Sequence, residues 1–262
     1  MRRFHLFETV DLNWWPQVLR DGVTDWLRFM IDSHKNFNLM APRLRDTLNR
    51  MGTSQIIDLC AGGAGPWLTL EAELAKTGEV QILLTDFFPN EKAFRYTLEQ
   101  SGGRIRFHPE RVDAMSVPPS LQGVRTIFSA LHHFRPAQVQ AILADAVNTG
   151  QAIVVIEGSD HRLYGSLFML TMPLFMLLLM PFVKPFRWSR LFFTYVVPIL
   201  PIVGLWDGTV SMLRTYTPEE LREIIGRIPA QETFSWDIGT QAIPGSPIGI
   251  TYLIGIPNST VF

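Results

Sequence analysis

With one cysteine, Cys60, in 262 residues, an internal disulfide is impossible, so burial must hold this chain together. Neither sign of charge is in excess. The 23 Lys and Arg stand against 24 Asp and Glu, a formal net charge of −1, which excludes the overall positive field that draws a protein to nucleic acid. The opening residues, Met1 to Glu8, hold no apolar run of the length a secretion signal needs, which predicts a cytoplasmic chain. Metal-ligand spacing is missing too, since His132, His133 and His161 form no recognisable zinc or iron set. Finally, Leu163 to Val183 contains no charged residue at all.

What is present is concentrated at residues 56–65, Ile-Ile-Asp-Leu-Cys-Ala-Gly-Gly-Ala-Gly. Two aliphatic residues lead into Asp58, four small positions (Ala61, Gly62, Gly63 and Gly65) follow, and Trp67 to Ala75 can be a helix. A buried strand, a tight glycine turn and a helix start form the arrangement by which α/β sheets receive nucleotide-like ligands. A nicotinamide fingerprint of the form Gly-x-Gly-x-x-Gly, started at Gly63, ends on Leu68 and so fails at its last glycine. Cys60, inside the turn, reads as a small buried residue that lets the loop pack.

Four further elements follow in order. Gln81 to Asp86 reads as a second buried strand ending in an acid, which can accept both hydroxyls of a ribose. Val112-Asp113-Ala114 precedes two prolines, Thr126 to Phe134 reads as a strand running into His132-His133, and Ala152 to Glu157 is a fifth strand. Taken with Asp58 to Gly65, this series resembles the motifs of class I S-adenosylmethionine-dependent methyltransferases, over about 53–160 and 207–262. The resemblance implies a Rossmann-like α/β fold with a mainly parallel seven-stranded sheet and an antiparallel last strand. It implies S-adenosylmethionine as cofactor, held by Asp58, Ala61, Gly62, Gly63, Gly65, Asp86, Phe87, Asp113, Ala114 and Ser129.

Around this core, residues 1–52 are expected to form a helical cap. Pro16 suits a first helical position, apolar residues from Val18 to Met30 recur at helical spacing, and a second helix from about Ala41 ends at Gly52. Residues 53–162 form the cofactor-binding core. Residues 207–262 complete it, with a helix capped by Thr217 and strands at 232–238 and 249–256.

Residues 163–206 depart from the common pattern. Two apolar runs flank Lys184, Arg187 and Arg190, and Pro173, Pro181, Pro198 and Pro201 interrupt them. Three arrangements fit: a two-span hairpin, broken helices lying in one leaflet with the three cations at the headgroups, or an apolar lid buried in protein. The prolines, the short second run and the cations favour the in-plane form, hence a membrane surface on the cytoplasmic side.

Methyl transfer from a sulfonium is an in-line displacement, so alignment and exclusion of water supply most of the catalysis. A base helps when the acceptor is a hydroxyl or thiol. His133 is the expected base, with His132 acting mostly on stability and Glu157 at the same sheet edge; the histidine pair also fits a purely structural corner. The expected activity is methyl transfer to a small, hydrophobic or lipid-like acceptor at a membrane, without nucleic acid and without a metal. The alternative is a membrane-attached assembly or regulatory protein that keeps the cofactor pocket but transfers no methyl group.

Overall fold

The computed structural model describes residues 3–158, 165, 167, 169–246 and 248–258. Helices α1 (Gln17–His34) and α2 (Ala41–Met51) precede strand β1 (Gln55–Leu59). As expected, Gly52 closes α2 in the left-handed conformation. Alternation then follows through α3 (Trp67–Leu74), β2 (Gln81–Leu84), α4 (Glu91–Gln100), β3 (Ile105–Phe107), β4 (Val124–Phe128), α5 (Pro136–Thr149) and β5 (Ile153–Glu157). The sheet order is β3-β2-β1-β4-β5-β7-β6, with β6 at Phe234–Gln241 and β7 at Ile250–Pro257. Strands β1 to β5 are parallel, and β7 lies antiparallel between β5 and β6. The expected seven-stranded sheet with its reversed last strand is therefore present.

Strand order reverses between β1 and β4, the switch point at which open α/β sheets bind ligands beyond their strand ends. The strands there are buried on both faces, which the near-continuous Ile, Val and Leu of β1, β4 and β5 already required. One face packs on Leu44, Leu48, Trp67, Leu70 and Phe94. The other packs on α5 and on Leu221, Ile224 and Ile225 of the Thr217-capped helix α9 (Pro218–Ile225).

The apolar insertion forms a third core. It contains α6 (Met172–Leu179), α7 (Trp188–Val196) and α8 (Ile199–Arg214), and α8 runs beyond the expected boundary at 206. Met172, Met176, Met180, Val183, Leu200 and Val203 pack on Leu19, Val23 and Trp26 of α1. Cap and insertion are thus one layer over the sheet edge. Among the described residues no single helix is long and apolar enough to cross a membrane; α7 and α8 together pass by length but meet at 86°.

Two of the three connector cations are not where the sequence placed them. Arg190 is buried and donates to Asp25 at 2.6 Å, while Arg187 reaches Asp21 at 2.7 Å and Asp25 at 2.9 Å. Asp21 and Asp25 lie one turn apart on α1, so their charges draw both guanidiniums inward. Only Lys184 remains exposed.

Candidate functional site

The glycine turn makes two kinds of demand on the backbone as it leaves β1. Cys60, Gly62, Ala64 and Gly65 all take positive φ, and a residue with a Cβ bears that at a cost of about 1–2 kcal/mol. Gly63 does not, and its reason is contact. A Cβ there would stand 2.3 Å from the carbonyl oxygen of Thr24 in α1, so this glycine serves the seating of α1 on the turn. Gly63→Ala should therefore lower stability by about 1–3 kcal/mol, the usual cost of overpacking, and weaken ligand binding with it. Gly65→Ala, whose Cβ meets only Phe128 at 3.9 Å, should carry the milder backbone cost alone. Thermal melts of the two variants check the order.

Asp86, one step beyond β2, is anchored by two backbone donors. Gly62 N–H gives to its Oδ2 and Phe88 N–H to its Oδ1, each at 2.7 Å. Burial pushes its carboxyl up, against these two bonds and the nearby charges of His133 and Arg20. Each oxygen keeps a further lone pair for a ligand hydroxyl. Asp113 Oδ1 takes the N–H of Met115 at 2.9 Å. Ser129, at the end of β4 with φ 48°, accepts from Gly158 N–H at 3.3 Å.

Of the residues expected to hold a cofactor, Ala61, Gly62, Gly63, Gly65, Asp86, Phe87, Asp113, Ala114 and Ser129 line one cavity of about 1270 Å³. Asp58 does not. It lies beneath the turn, accepting from Thr126 Oγ1 at 2.6 Å, and burial pushes its carboxyl up to about 7. It is buried within β1 and its carboxylate is engaged by Thr126 of the neighbouring β4, so it joins two strands below the cavity floor. The volume exceeds the ~300–1,000 Å³ of a pocket for one small ligand. From the turn it passes His132 and His133 and continues to Val23, Trp26, Met169, Met172, Gly204, Gly208 and Met212, the apolar seam between α1 and the insertion. Asp160 and His161, polar groups that follow the fifth strand in sequence, lie outside the described residues.

The histidine pair sits on a 3₁₀ turn, Leu131–His133. Glu157 fixes the first of them, accepting from Leu131 N–H with one oxygen and from His132 Nδ1 with the other, both at 2.7 Å. It does not line the cavity; it holds His132 from behind, with the Nδ1–H tautomer. His133 Nδ1 donates to Asp11 at 2.7 Å. Burial would lower the His133 pKa, but the charge of Glu8 and the bond to Asp11 more than reverse this and raise it to about 9. These contacts favour the charged imidazolium, with Nδ1 given to Asp11, so His133 stands here as the cationic partner of Glu8 and Asp11. His132, expected to be mainly structural, also lines the cavity, with its Nε2 3.8 Å from Glu8 Oε1.

Three groups escaped sequence reading. Glu8 and Asp11 arrive on an N-terminal strap, and Arg214 comes from the end of α8. Arg214 Nη1 lies 3.0 Å from Glu8 and 2.6 Å from Asp11, while its other nitrogens donate to the carbonyls of His132 at 3.0 Å and His133 at 2.6 Å. The strap is latched by Thr9, whose N–H and hydroxyl both bond Asp207. Glu8, His132 and His133 bring ligand-type atoms within 4.8 Å of one another, but Arg214 already supplies the positive charge there, so the group is an ion-pair cluster. Burial raises the Asp11 carboxyl, yet His133 and Arg214 bring it well below the usual range. With Asp depressed and His raised, the Asp11–His133 pair contributes fully from about pH 4 to 6.5 and fades as pH climbs through about 9.

No family model matches the chain, and no curated protein matches it. Solved structures do. An O-methyltransferase family protein from Burkholderia thailandensis aligns with a TM-score of 0.53 at 16% identity, over 92% of this chain and 60% of that one. The methyltransferase domain of bacterial CtHen1 aligns with a TM-score of 0.50 at 14% identity, over 84% and 98%. This chain spans about 60% of the length of the first of these proteins. What is shared at such identities is the fold: the chain has the Rossmann-like class I methyltransferase fold.

Proposed function

We propose that this protein transfers the methyl group of S-adenosylmethionine to a small hydrophobic or lipid-like acceptor, at the cytoplasmic face of a membrane. One observation carries the reading. A single cavity joins the glycine turn and Asp86 to an apolar, Met-lined arm, with His132 at the junction. The turn and Asp86 suit an adenosine, the arm suits an apolar acceptor, and the junction is where the methyl group would pass between them. The cofactor brings the activated methyl; the chain aligns the partners and keeps water out. His132 is the group placed to receive a proton from an acceptor hydroxyl.

The membrane part rests on the outer side of the insertion. Leu170, Leu178, Phe182, Trp188, Val196 and Ile202 are each 60% or more exposed on one stretch of chain, a surface that water does not favour. The charged groups of α7 and α8 (Arg190, Asp207 and Arg214) are buried and tied to α1, the strap and the histidine turn, which suits helices lying in one leaflet. Methyl-labelled cofactor incubated with the protein and extracted membrane lipids should yield a labelled lipid-soluble product. The protein should float with vesicles and resist release by salt. No labelled product from any extract would remove the acceptor assignment, and failure to float would return the exposed leucines to a buried interface between proteins.

A further inference from the structure

We propose that Arg187 is a positioning residue for the cofactor: reaching out of the apolar insertion, it fixes Asn90, and through Asn90 the contacts that set the glycine turn against Asp86. The inference rests on the reading of the turn and Asp86 as the adenosine end of the cavity.

Those contacts close a ring. Asp86 Oδ2 accepts from Gly62 N–H at 2.7 Å. On its other side the turn lies against Thr24 of α1. A Cβ at Gly62 would stand 3.6 Å from the Thr24 methyl, and one at Gly63 would stand 2.3 Å from the Thr24 carbonyl oxygen. The Thr24 hydroxyl accepts from the Asn90 amide at 3.1 Å. Asn90 then returns to Asp86 along the short chain Phe87 to Pro89. Every member of the ring, Gly62, Gly63, Thr24, Asn90 and Asp86, lines the cavity. Movement at any one of them therefore shifts the surface that the cofactor meets.

Asn90 is the point at which the ring is held. It is buried, and its amide uses all four of its hydrogen-bonding positions. Nδ2 gives to Thr24 and to Asp25, both at 3.1 Å. Oδ1 accepts from Ala93 N–H at 3.2 Å, capping α4, and from Arg187 Nη2 at 2.8 Å. The guanidinium also decides which way the amide faces, because a turned amide would set its NH2 against two donors.

Arg187 spends its other nitrogens on α1, pairing with Asp21 at 2.7 Å and Asp25 at 2.9 Å. Its planar fork thus spans two acids and one neutral amide, a division that the point charge of an ammonium does not reproduce. Arg190 shares Asp25, but its remaining bonds go to the carbonyls of Val183 and Pro185. Both arginines seat the insertion on α1; of the two, Arg187 also orients Asn90.

The test compares Arg187→Lys with Arg190→Lys in the full chain. Three quantities are read: melting temperature, affinity for S-adenosylhomocysteine by calorimetry, and hydrogen exchange at the Gly62 amide in the free protein. A lysine at 187 is drawn to Asp21 and Asp25 and gives up Asn90. It should melt no lower than Arg190→Lys, yet bind roughly tenfold more weakly than the wild type and exchange faster at Gly62. Arg190→Lys should lose melting temperature and keep its affinity. Asn90→Ser retains an N-cap oxygen for α4 while dropping the link to Arg187, so it should weaken binding by about the same factor. Adding Arg187→Lys to it should cost no more, because both act on one link. Wild-type affinity or wild-type Gly62 exchange in Arg187→Lys overturns the proposal, as does a loss that tracks melting temperature alike in both lysine variants. If Arg187→Lys fails to fold, wild-type affinity in Asn90→Ser overturns it instead. If the wild-type chain binds no S-adenosylhomocysteine, the cofactor reading fails, while Gly62 exchange in the free variants still decides whether Arg187 holds the turn.

Discussion

Asp86→Ala should reduce affinity for S-adenosylhomocysteine by 100-fold or more in calorimetry, the largest loss expected from any single site residue. A carboxylate that accepts two ribose hydroxyls makes two charge-assisted bonds, each about 1.5–3 kcal/mol, and at 1.4 kcal/mol per decade their joint loss exceeds two decades. A second loss is added here. The Asp86 oxygens also tie the turn, through Gly62, to the chain after β2, through Phe88, so alanine frees the backbone that the ligand must approach. Asp86→Asn should fall between, since the amide keeps one acceptor oxygen but turns a donor toward one of those N–H groups. Burial raises the Asp86 carboxyl, so affinity should decline on acidification earlier than for an exposed aspartate. Unaltered affinity in Asp86→Ala would remove the adenosine from this end of the cavity.

The sheet was legible because its signals are local. Apolar strands, a glycine turn and capped helices each announce themselves within ten residues, and their order fixed the topology. Strand β3 was not legible: it has three residues, of which only Ile105 is fully buried, too few to show a period. Where strand ends make the candidate site, the expected residues Gly62, Gly63, Gly65 and Asp86 do line one cavity. The site was not legible where distant segments converge. Glu8 and Arg214 are separated by most of the chain, and only the fold makes them neighbours of His132. The acids beside His133, Glu8 and Asp11, lie on the strap and were out of reach of the sequence for the same reason.

The insertion holds the clearest lesson in this respect, because a signal was there. Asp21, Asp25, Arg28 and Asp32 recur at helical spacing on α1, and the only charges in the insertion are Lys184, Arg187 and Arg190. Complementary charges on two segments that are apolar elsewhere point to each other before they point to headgroups. Burial explains the rest: a guanidinium beside a carboxylate loses less on leaving water than either does alone.

From that pairing comes the second large effect, on stability. Asp25 is fully buried, accepts from Arg190 at 2.6 Å and from the Asn90 amide at 3.1 Å, and forms an ion pair with Arg187 at 2.9 Å. Asp25→Ala would leave Arg190 uncompensated in the interior, at a cost of about 3–5 kcal/mol. For a chain of this length that corresponds to a drop in melting temperature of roughly 6–20 °C. The effect should reach the cofactor end as well. Asn90 caps α4 by accepting from Ala93 N–H, and the same amide oxygen takes Arg187 at 2.8 Å, so one network links the insertion, α1 and the helix that follows Asp86. Replacing Asp25, Arg187 and Arg190 together with apolar residues of similar size should recover most of the lost stability, because no charge is then left alone. The triple variant also separates fold from membrane. If it melts near the wild type and still floats with vesicles, the apolar face alone carries attachment. If Asp25→Ala melts as the wild type does, Arg190 is solvated in solution and the insertion is not seated on α1.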